Sequence, residues 1–396
     1  MSNIEDRKKI FKLYLYGYLN TRMAARIIEE NSGENTYEKK KKDLVNYLKI
    51  NRWPSPIITL LCFIIKRLEL PLSLLIETTR FIYAIVLKIK HIHRPSIDEI
   101  PDLYIGIREL RLGIMLKNAR INANSITVVS LPFDNNDDIY TNYKTIHLLS
   151  LCTITNIWKS YIYSIRLSIL MNHKYGSKDL FFRYYSSFEF FLIYFFVTNS
   201  QSCRFYYSDN YSRWAFLFGN FQGDTVYLQH GMVGDDINSF IKTGCPKTAY
   251  FINEHQKKLI CKYLFCSKPV TYYMSGLEFT SNEKLLDNGN LNVLLVCRSF
   301  FLESEKKISL ILSMIPHINV YIKPHPLDAI DEYINLCDSF GYTLLGRSDF
   351  PKVDFVVAYN STLALEYQDA GVQVHIYNCG EEQKVKDVIF EKIKNK

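Results

Sequence analysis

Hydrophobic and polar positions along this chain follow two rhythms. From Cys203 onward, short apolar runs alternate with longer stretches at helical spacing, and polar or glycine punctuation separates them. Residues 204–207, 225–228, 248–252, 293–296, 319–322, 342–345, 355–358 and 372–377 predict strands, rich in Val, Ile, Leu and aromatic residues. Residues 211–218, 254–264, 303–314, 327–340, 361–369 and 384–393 predict helices, with Gly341 and Gly371 as stops. Strands alternating with helices imply parallel sheets, because each crossover needs a helix to return the chain. The rhythm breaks between Tyr273 and Asn288, at Ser275-Gly276 and Asp287-Asn288-Gly289-Asn290, which predicts a domain boundary there.

Before Cys203 the punctuation is sparse. Residues 1–95 read as helical and basic, with four consecutive lysines at 39–42 on what is most simply a solvated face. Residues 57–65 and 81–87 are strongly apolar, but Lys66, Arg67, Glu69, Glu77 and Arg80 interrupt them. No uncharged run reaches the roughly 18–20 residues that cross a bilayer. Two readings stand: a helix lying in a membrane interface, with Lys88, Lys90 and Arg94 near lipid phosphates, or a buried helical hairpin. Residues 125–130 predict a buried strand, followed by an acidic loop at 134–138 that is either solvated or able to hold a metal. Residues 181–197 are crowded with Phe and Tyr, for a core or for a sugar-stacking platform. The organisation expected is a helical region over 1–95, a first Rossmann-like domain over 96–275 and a second over 276–396.

Composition narrows the partners. The chain has 396 residues, 48% hydrophobic and 22% charged, which suits packed domains and not disorder. The formal charge of +8 fits an anionic substrate or an anionic membrane surface. Nucleic acid is not expected, since no recognition motif or Arg-aromatic stripe accompanies the charge. The nine cysteines are scattered with no Cys-x-x-Cys, and no signal peptide is evident, so reduced thiols in a cytoplasmic protein are expected. No metal or cofactor site is predicted.

The candidate chemistry lies at predicted strand ends, where open parallel sheets bind ligands. Lys323-Pro324-His325-Pro326 follows one apolar run and Asn360-Ser361-Thr362 follows another. An extended backbone would point Lys323 and His325 to the same side, and the flanking prolines would hold the imidazole. A protonated His325 would donate to a departing phosphate oxygen, with Lys323 and Arg298 adding charge-assisted contacts; the alternative is that His325 caps the next helix. Asn360, Ser361 and Thr362 open a helix whose free amides form an anion site. Glu366, one turn on, is either a ribose ligand or a solvated carboxylate. In the first domain Gln229-His230-Gly231 exposes a histidine after a strand. His230 is a candidate base, beside Asp235, Asp236 and Asp209.

With these residues in place, the chain resembles bacterial GT-B glycosyltransferases of surface-polysaccharide synthesis: sialyltransferases and polysialyltransferases, Kdo transferases, and teichoic-acid glycerophosphotransferases. His325-Pro326 matches their His-Pro motif and Ser361-Thr362 their Ser-Ser/Thr motif, while Gln229-His230-Gly231 looks like the Gln-His-Gly of the Kdo and glycerophosphate groups. The resemblance implies an α/β, GT-B-like fold of two Rossmann-like domains with a helical N-terminal extension. It implies that His325, Ser361 and Thr362 contact the donor phosphate on the second domain and that a glycan or lipid-linked acceptor uses the first. It also implies an inverting, metal-independent transfer from a CMP-linked donor in capsule or O-antigen synthesis, CDP-glycerol or ribitol phosphotransfer being the alternative. Outside enzymes, a membrane-surface scaffold with a degenerate transferase fold is the competing expectation. The acidic-acidic-Gly motif of sialyltransferases is missing; Gly234-Asp235-Asp236 has the reverse order. Cytoplasmic location, with peripheral contact at the inner membrane face, completes the expectation.

Overall fold

A computed structural model of the chain describes residues 4–32, 56, 69–90, 101–106, 112–132, 143–175, 187–280, 285–286, 288–325, 328, 330–346, 349–359, 361–377 and 380–394. The lysine run at 39–42, the apolar run 57–65 and the acidic loop 134–138 lie outside the described residues. The architecture is α/β, with two parallel sheets in two compact units and helices preceding the first sheet. Unit one comprises Met1–Ile27, Asn35–His230 and Asp235–Tyr273; unit two comprises Ile28–Glu34, Gly231–Gly234 and Met274–Lys396.

The first unit holds seven strands: β1 (Asp102–Tyr104), β2 (Thr127–Ser130), β3 (Lys144–His147), β4 (Arg204–Tyr207), β5 (Asp224–Leu228), β6 (Thr248–Phe251) and β7 (Val270–Tyr273). All pair in parallel, in the order β3-β2-β1-β4-β5-β6-β7. The chain winds outward from β1 to β3, returns to β4 beside β1, and winds the other way. That reversal is a Rossmann-type switch point, and it falls between β1 and β4. Tyr104, Phe205, Tyr207, Tyr227 and Phe251 are buried in the sheet.

The helix Ser187–Asn199 is apolar on every side and buried, with Phe188, Phe190, Phe191 and Phe196 inside the unit. A helix without a polar face belongs in a core, so the aromatic cluster expected over 181–197 packs from 187 onward and offers no sugar platform there, while 181–186 lie outside the described residues. Tyr14 of the helix Ile4–Ser32 meets Phe190 edge-on at 5.2 Å. Gly17 lets that helix press against another: a Cβ there would come within 2.4 Å of the Arg213 Cα. Arg213 and Glu189 form a buried ion pair at 3.1 Å. Asn20 fastens the same N-terminal helix further, donating to Ile241 O at 2.9 Å and accepting from Ile241 N at 2.7 Å.

The second unit holds β8 (Leu291–Val296), β9 (Ile318–Lys323), β10 (Thr343–Leu344), β11 (Phe355–Ala358) and β12 (Gln373–Ile376), all parallel, in the order β10-β9-β8-β11-β12. The winding repeats that of the first sheet, with its switch between β8 and β11. Alternate residues face two separate cores. Val293, Leu295, Ile322 and Val357 pack with Ile308, Tyr333 and Val385. Leu294, Val296, Tyr321 and Val356 pack with Ala364 and Tyr367. Both faces are therefore covered, as parallel strands require. The helix Asp331–Phe340 ends at Gly341, left-handed with φ 69°. Glycine reaches that conformation without steric cost.

Candidate active-site residues

In the second unit the register decides which loops share an end of the sheet. Val296 of β8 lies opposite Lys323 of β9 on one side and Ala358 of β11 on the other. All three strands stop at one level, so the segments starting at Cys297, Pro324 and Tyr359 leave together. The two clusters expected at strand ends are not on adjacent strands: β8 lies between β9 and β11. His325 and Ser361 therefore flank the segment carrying Arg298, and two strand spacings, about 10 Å, separate β9 from β11.

Arg298 and His325 are partly exposed. Burial holds the His325 imidazole below its usual range, the Arg298 charge pushes it the same way, and Asp328 opposes both. This direction favours the neutral ring over the protonated form expected. A neutral ring still donates one N–H, and the positive charge comes from Arg298. Ser361 stands in the N-cap position of the helix Thr362–Asp369 with extended backbone, yet its hydroxyl makes no capping hydrogen bond. Thr362 is exposed. This unit includes Gly231, and a Cβ there would sit 3.3 Å from Thr362 Oγ1.

Two expected ligands behave otherwise. Lys323 is only 3% exposed. Its ammonium donates to Gly346 O at 2.5 Å and Asp349 O at 2.8 Å and lies 4.3 Å from the centre of the Phe350 ring. It ends β9 as a buried strut held by the carbonyls of Gly346 and Asp349, and not as an exposed phosphate ligand. Glu366 is 6% exposed, which rules out the solvated reading. Pro326 and Asn360 lie outside the described residues.

Beneath the strand ends is an acidic pair that sequence reasoning did not single out. Glu305 accepts from Arg298 N at 2.5 Å. Asp328 accepts from Ser299 N at 2.6 Å and Ser299 Oγ at 2.8 Å, and its own N–H donates to His325 O at 3.0 Å. The Tyr333 hydroxyl lies 3.4 Å from both carboxylates. Asp328 thereby ties the Arg298–Ser299 turn to the His325 turn. Burial, with the Asp328 charge adding, pushes Glu305 up to about 8. That shift favours the protonated Glu305 at neutral pH and so lessens the negative charge below the loops. The signal was present: Glu305 interrupts the buried stripe Phe301, Ile308 and Leu312 of its helix.

In the first unit, His230 follows β5, adjacent to β4. Its Nδ1 lies 2.6 Å from Ser208 O. A carbonyl only accepts, so Nδ1 carries the proton, and Nε2 of the neutral ring bears a lone pair. That is the tautomer a general base needs. Ser208 is fixed in turn by a 2.9 Å hydroxyl contact with Tyr104. Gln229 is structural: its amide donates to Gln256 Oε1 at 2.8 Å and accepts from Ile252 N at 3.1 Å. Asp209 accepts from Tyr211 N at 3.2 Å, Ser212 N at 3.0 Å and the Ser212 hydroxyl. Its carboxylate organises the turn before the helix Arg213–Gly219 and is poorly placed to serve as a base. The backbone of Asp235 opens a 3₁₀ turn, Asp235–Ser239, and its side chain, like that of Asp236, lies outside the described residues.

No protein-family model and no curated protein matches the chain. Its fold is similar to those of several solved enzymes. UDP-GlcNAc 2-epimerase from Neisseria meningitidis, bound to UDP-GlcNAc, shares 9% identity with a TM-score of 0.39, over 74% of this chain and 90% of that one. The UDP-forming α,α-trehalose-phosphate synthase of Burkholderia vietnamiensis shares 11% identity, TM-score 0.39, over 75% and 89%. The wall teichoic acid polymerase TagF shares 8%, TM-score 0.35, over 77% and 78%.

Proposed function

We propose that the chain is a metal-independent transferase that takes a nucleotide-activated donor on its second unit. One observation carries this: the common level of β8, β9 and β11 brings Arg298, His325 and a helix N-terminus whose Ser361 makes no side-chain cap to the switch end of one sheet. A cation, a neutral N–H donor and aimed amides are groups that hold a phosphate ester without trapping it. In the step envisaged, an acceptor hydroxyl attacks the sugar's anomeric carbon and gives up its proton to a general base, the role for which His230 is the candidate. The bond from that carbon to the phosphate oxygen breaks, and its electron pair stays on the phosphate beside Arg298 and the His325 N–H. A single displacement of this kind inverts the anomeric centre. The short His325-Pro326, Ser361-Thr362 and Gln229-His230-Gly231 resemblances favour a cytidine donor, with sialic acid or a related acidic sugar as the group moved onto a surface glycan. Nine scattered cysteines with no Cys-x-x-Cys favour action in the cytoplasm.

A donor screen tests this reading. Purified protein is incubated with CMP-sialic acid, CMP-Kdo, CDP-glycerol and UDP-GlcNAc plus a mixed glycan acceptor, and nucleotide release is followed. CMP from one CMP-sugar, abolished by His230→Ala, supports the proposal. CMP from CDP-glycerol moves it to phosphotransfer on the same site. No release from any donor, together with no thermal stabilisation by CMP, CDP or UDP, removes the enzyme reading and leaves a scaffold.

A further inference from the structure

The first unit carries an apolar face that its own fold does not cover. The helix Glu69–Lys90 contains a 20-residue segment, Leu70–Ile89, long and apolar enough to cross a bilayer. One side of this helix is fixed to the unit by charge. Glu77 is buried and accepts from Ser187 Oγ at 2.9 Å, Phe188 N at 3.1 Å and Ser187 N at 3.3 Å, the first amides of the helix Ser187–Asn199. Lys88 is buried and donates to Leu149 O at 2.8 Å and Ser150 O at 3.1 Å in the short helix Leu148–Leu151. A carboxylate at one helix start and an ammonium on the carbonyls of another both match the helix dipoles.

The opposite side is exposed and apolar. Ile82, Val86 and Ile89 form a stripe at i, i+4, i+7, with Leu75 two turns earlier; Leu75 is 60% and Ile89 64% exposed. The stripe continues onto the neighbouring helix Ile154–Tyr175, where Ile154 is 65% and Trp158 52% exposed. Phe81 joins the two, 5.3 Å edge-on from Trp158 and stacked at 4.4 Å on Tyr161.

Charge decides the occupant. The helix Ile154–Tyr175 contains no acidic residue, and its Lys159 and Arg166 are exposed. The one carboxylate among the described side chains of the two helices is the buried Glu77. An apolar face with exposed cations beside it and no exposed anion among the described side chains of its two helices, and a tryptophan and a tyrosine (Tyr83) exposed on it, has the composition of a surface seated among anionic headgroups. We propose that the paired outer faces of these two helices dock the protein on an anionic bilayer, lying in the headgroup layer without crossing it. Crossing would require surrounding the helix with lipid or membrane-buried protein, whereas Glu77 and Lys88 bind it to a unit built on a seven-stranded sheet. The inference stands apart from the transferase reading and holds or fails without it.

The test uses the full chain and vesicle sedimentation. Vesicles of phosphatidylcholine alone are compared with vesicles containing phosphatidylglycerol, for the wild type, Ile82→Glu/Ile89→Glu, Trp158→Glu and Arg166→Glu. Wild type should sediment with the anionic vesicles about tenfold better than with the neutral ones, and added salt should reduce the difference. Each apolar-to-Glu variant should lose about tenfold in partition at an unchanged melting temperature, while Arg166→Glu loses the anionic preference. Alkaline carbonate should release the bound protein. Equal binding by the variants, no binding by the wild type, or resistance to carbonate extraction overturns the proposal. So does a concentration-dependent dimer, seen by light scattering, that Ile82→Glu/Ile89→Glu converts to monomer, since the face would then cover a second copy.

Discussion

The two sheets wind in the same order, yet their switch ends are furnished differently. At the end of the second sheet, Arg298, His325 and the start of the helix Thr362–Asp369 stand over an acid pair that ties the turns together from below. At the end of the first, the polar groups mostly satisfy one another: Gln229 pairs with Gln256, Asp209 with its own turn, and Tyr104 with Ser208. His230 is held through its Nδ1, which donates to Ser208 O. On the proposed reading, one end takes a negative charge and the other a neutral group that must lose a proton. The shared winding thus sets only where chemistry can happen, and the loop residues set its sign.

Replacing His230 should break this contrast most severely. His230→Ala is expected to lower turnover of the donor found in the screen by about 10²–10⁴-fold while leaving donor affinity within twofold, because a general base contributes to the step and not to the ground state. Equal losses in kcat and affinity would contradict that role. Arg298→Ala should weaken donor binding by about 10–100-fold, the scale of one charge-assisted hydrogen bond, read by calorimetry with the unhydrolysed nucleotide. Lys323→Met tests whether the buried strut is outside the anion site. It should cost about 1–3 kcal/mol of stability, from carbonyls left unpaired, and leave nucleotide affinity unchanged.

Proton linkage sharpens the comparison further. Glu305 has its folded pKa raised to about 8, so it favours the fold fully below its unfolded value, near 4.5, and that contribution fades as pH rises through about 8. Wild type should therefore melt lower at pH 9 than at pH 6, and Glu305→Gln should flatten the difference. The mildest effect expected is that of Ser361→Ala: stability within about 0.5 kcal/mol, since no capping bond is lost, with a small fall in nucleotide affinity.

Much of the fold could be read from the pattern because buried parallel strands write themselves as short apolar runs. β4 and β11 have the bounds that the runs at 204–207 and 355–358 predicted, and Gly341 stops its helix as expected. The strands left unread are β1, β3 and β7. β1 has three residues, too few to show alternation. β3 and β7 are outer strands with exposed residues, Lys144 and Val270 among them, so burial imposes no apolar run on them. The candidate site was legible as positions and not as roles. His325, Ser361 and His230 could be found because polar residues punctuate strand ends. The side of β9 that Lys323 takes, and the work of Asp328 and Glu305 under the loops, depend on contacts between segments distant in sequence. A local pattern does not record those contacts.

The two charged plugs on the helix Glu69–Lys90 have a practical corollary for anyone wishing to shorten this protein. Starting the polypeptide after Lys90 would remove an acceptor from the amides of Ser187 and Phe188 and a donor from the carbonyls of Leu149 and Ser150, all at once and inside the unit. The early helices are keystones, and a version trimmed to its Rossmann-like sheets would be left with four orphaned backbone groups where the arch had closed.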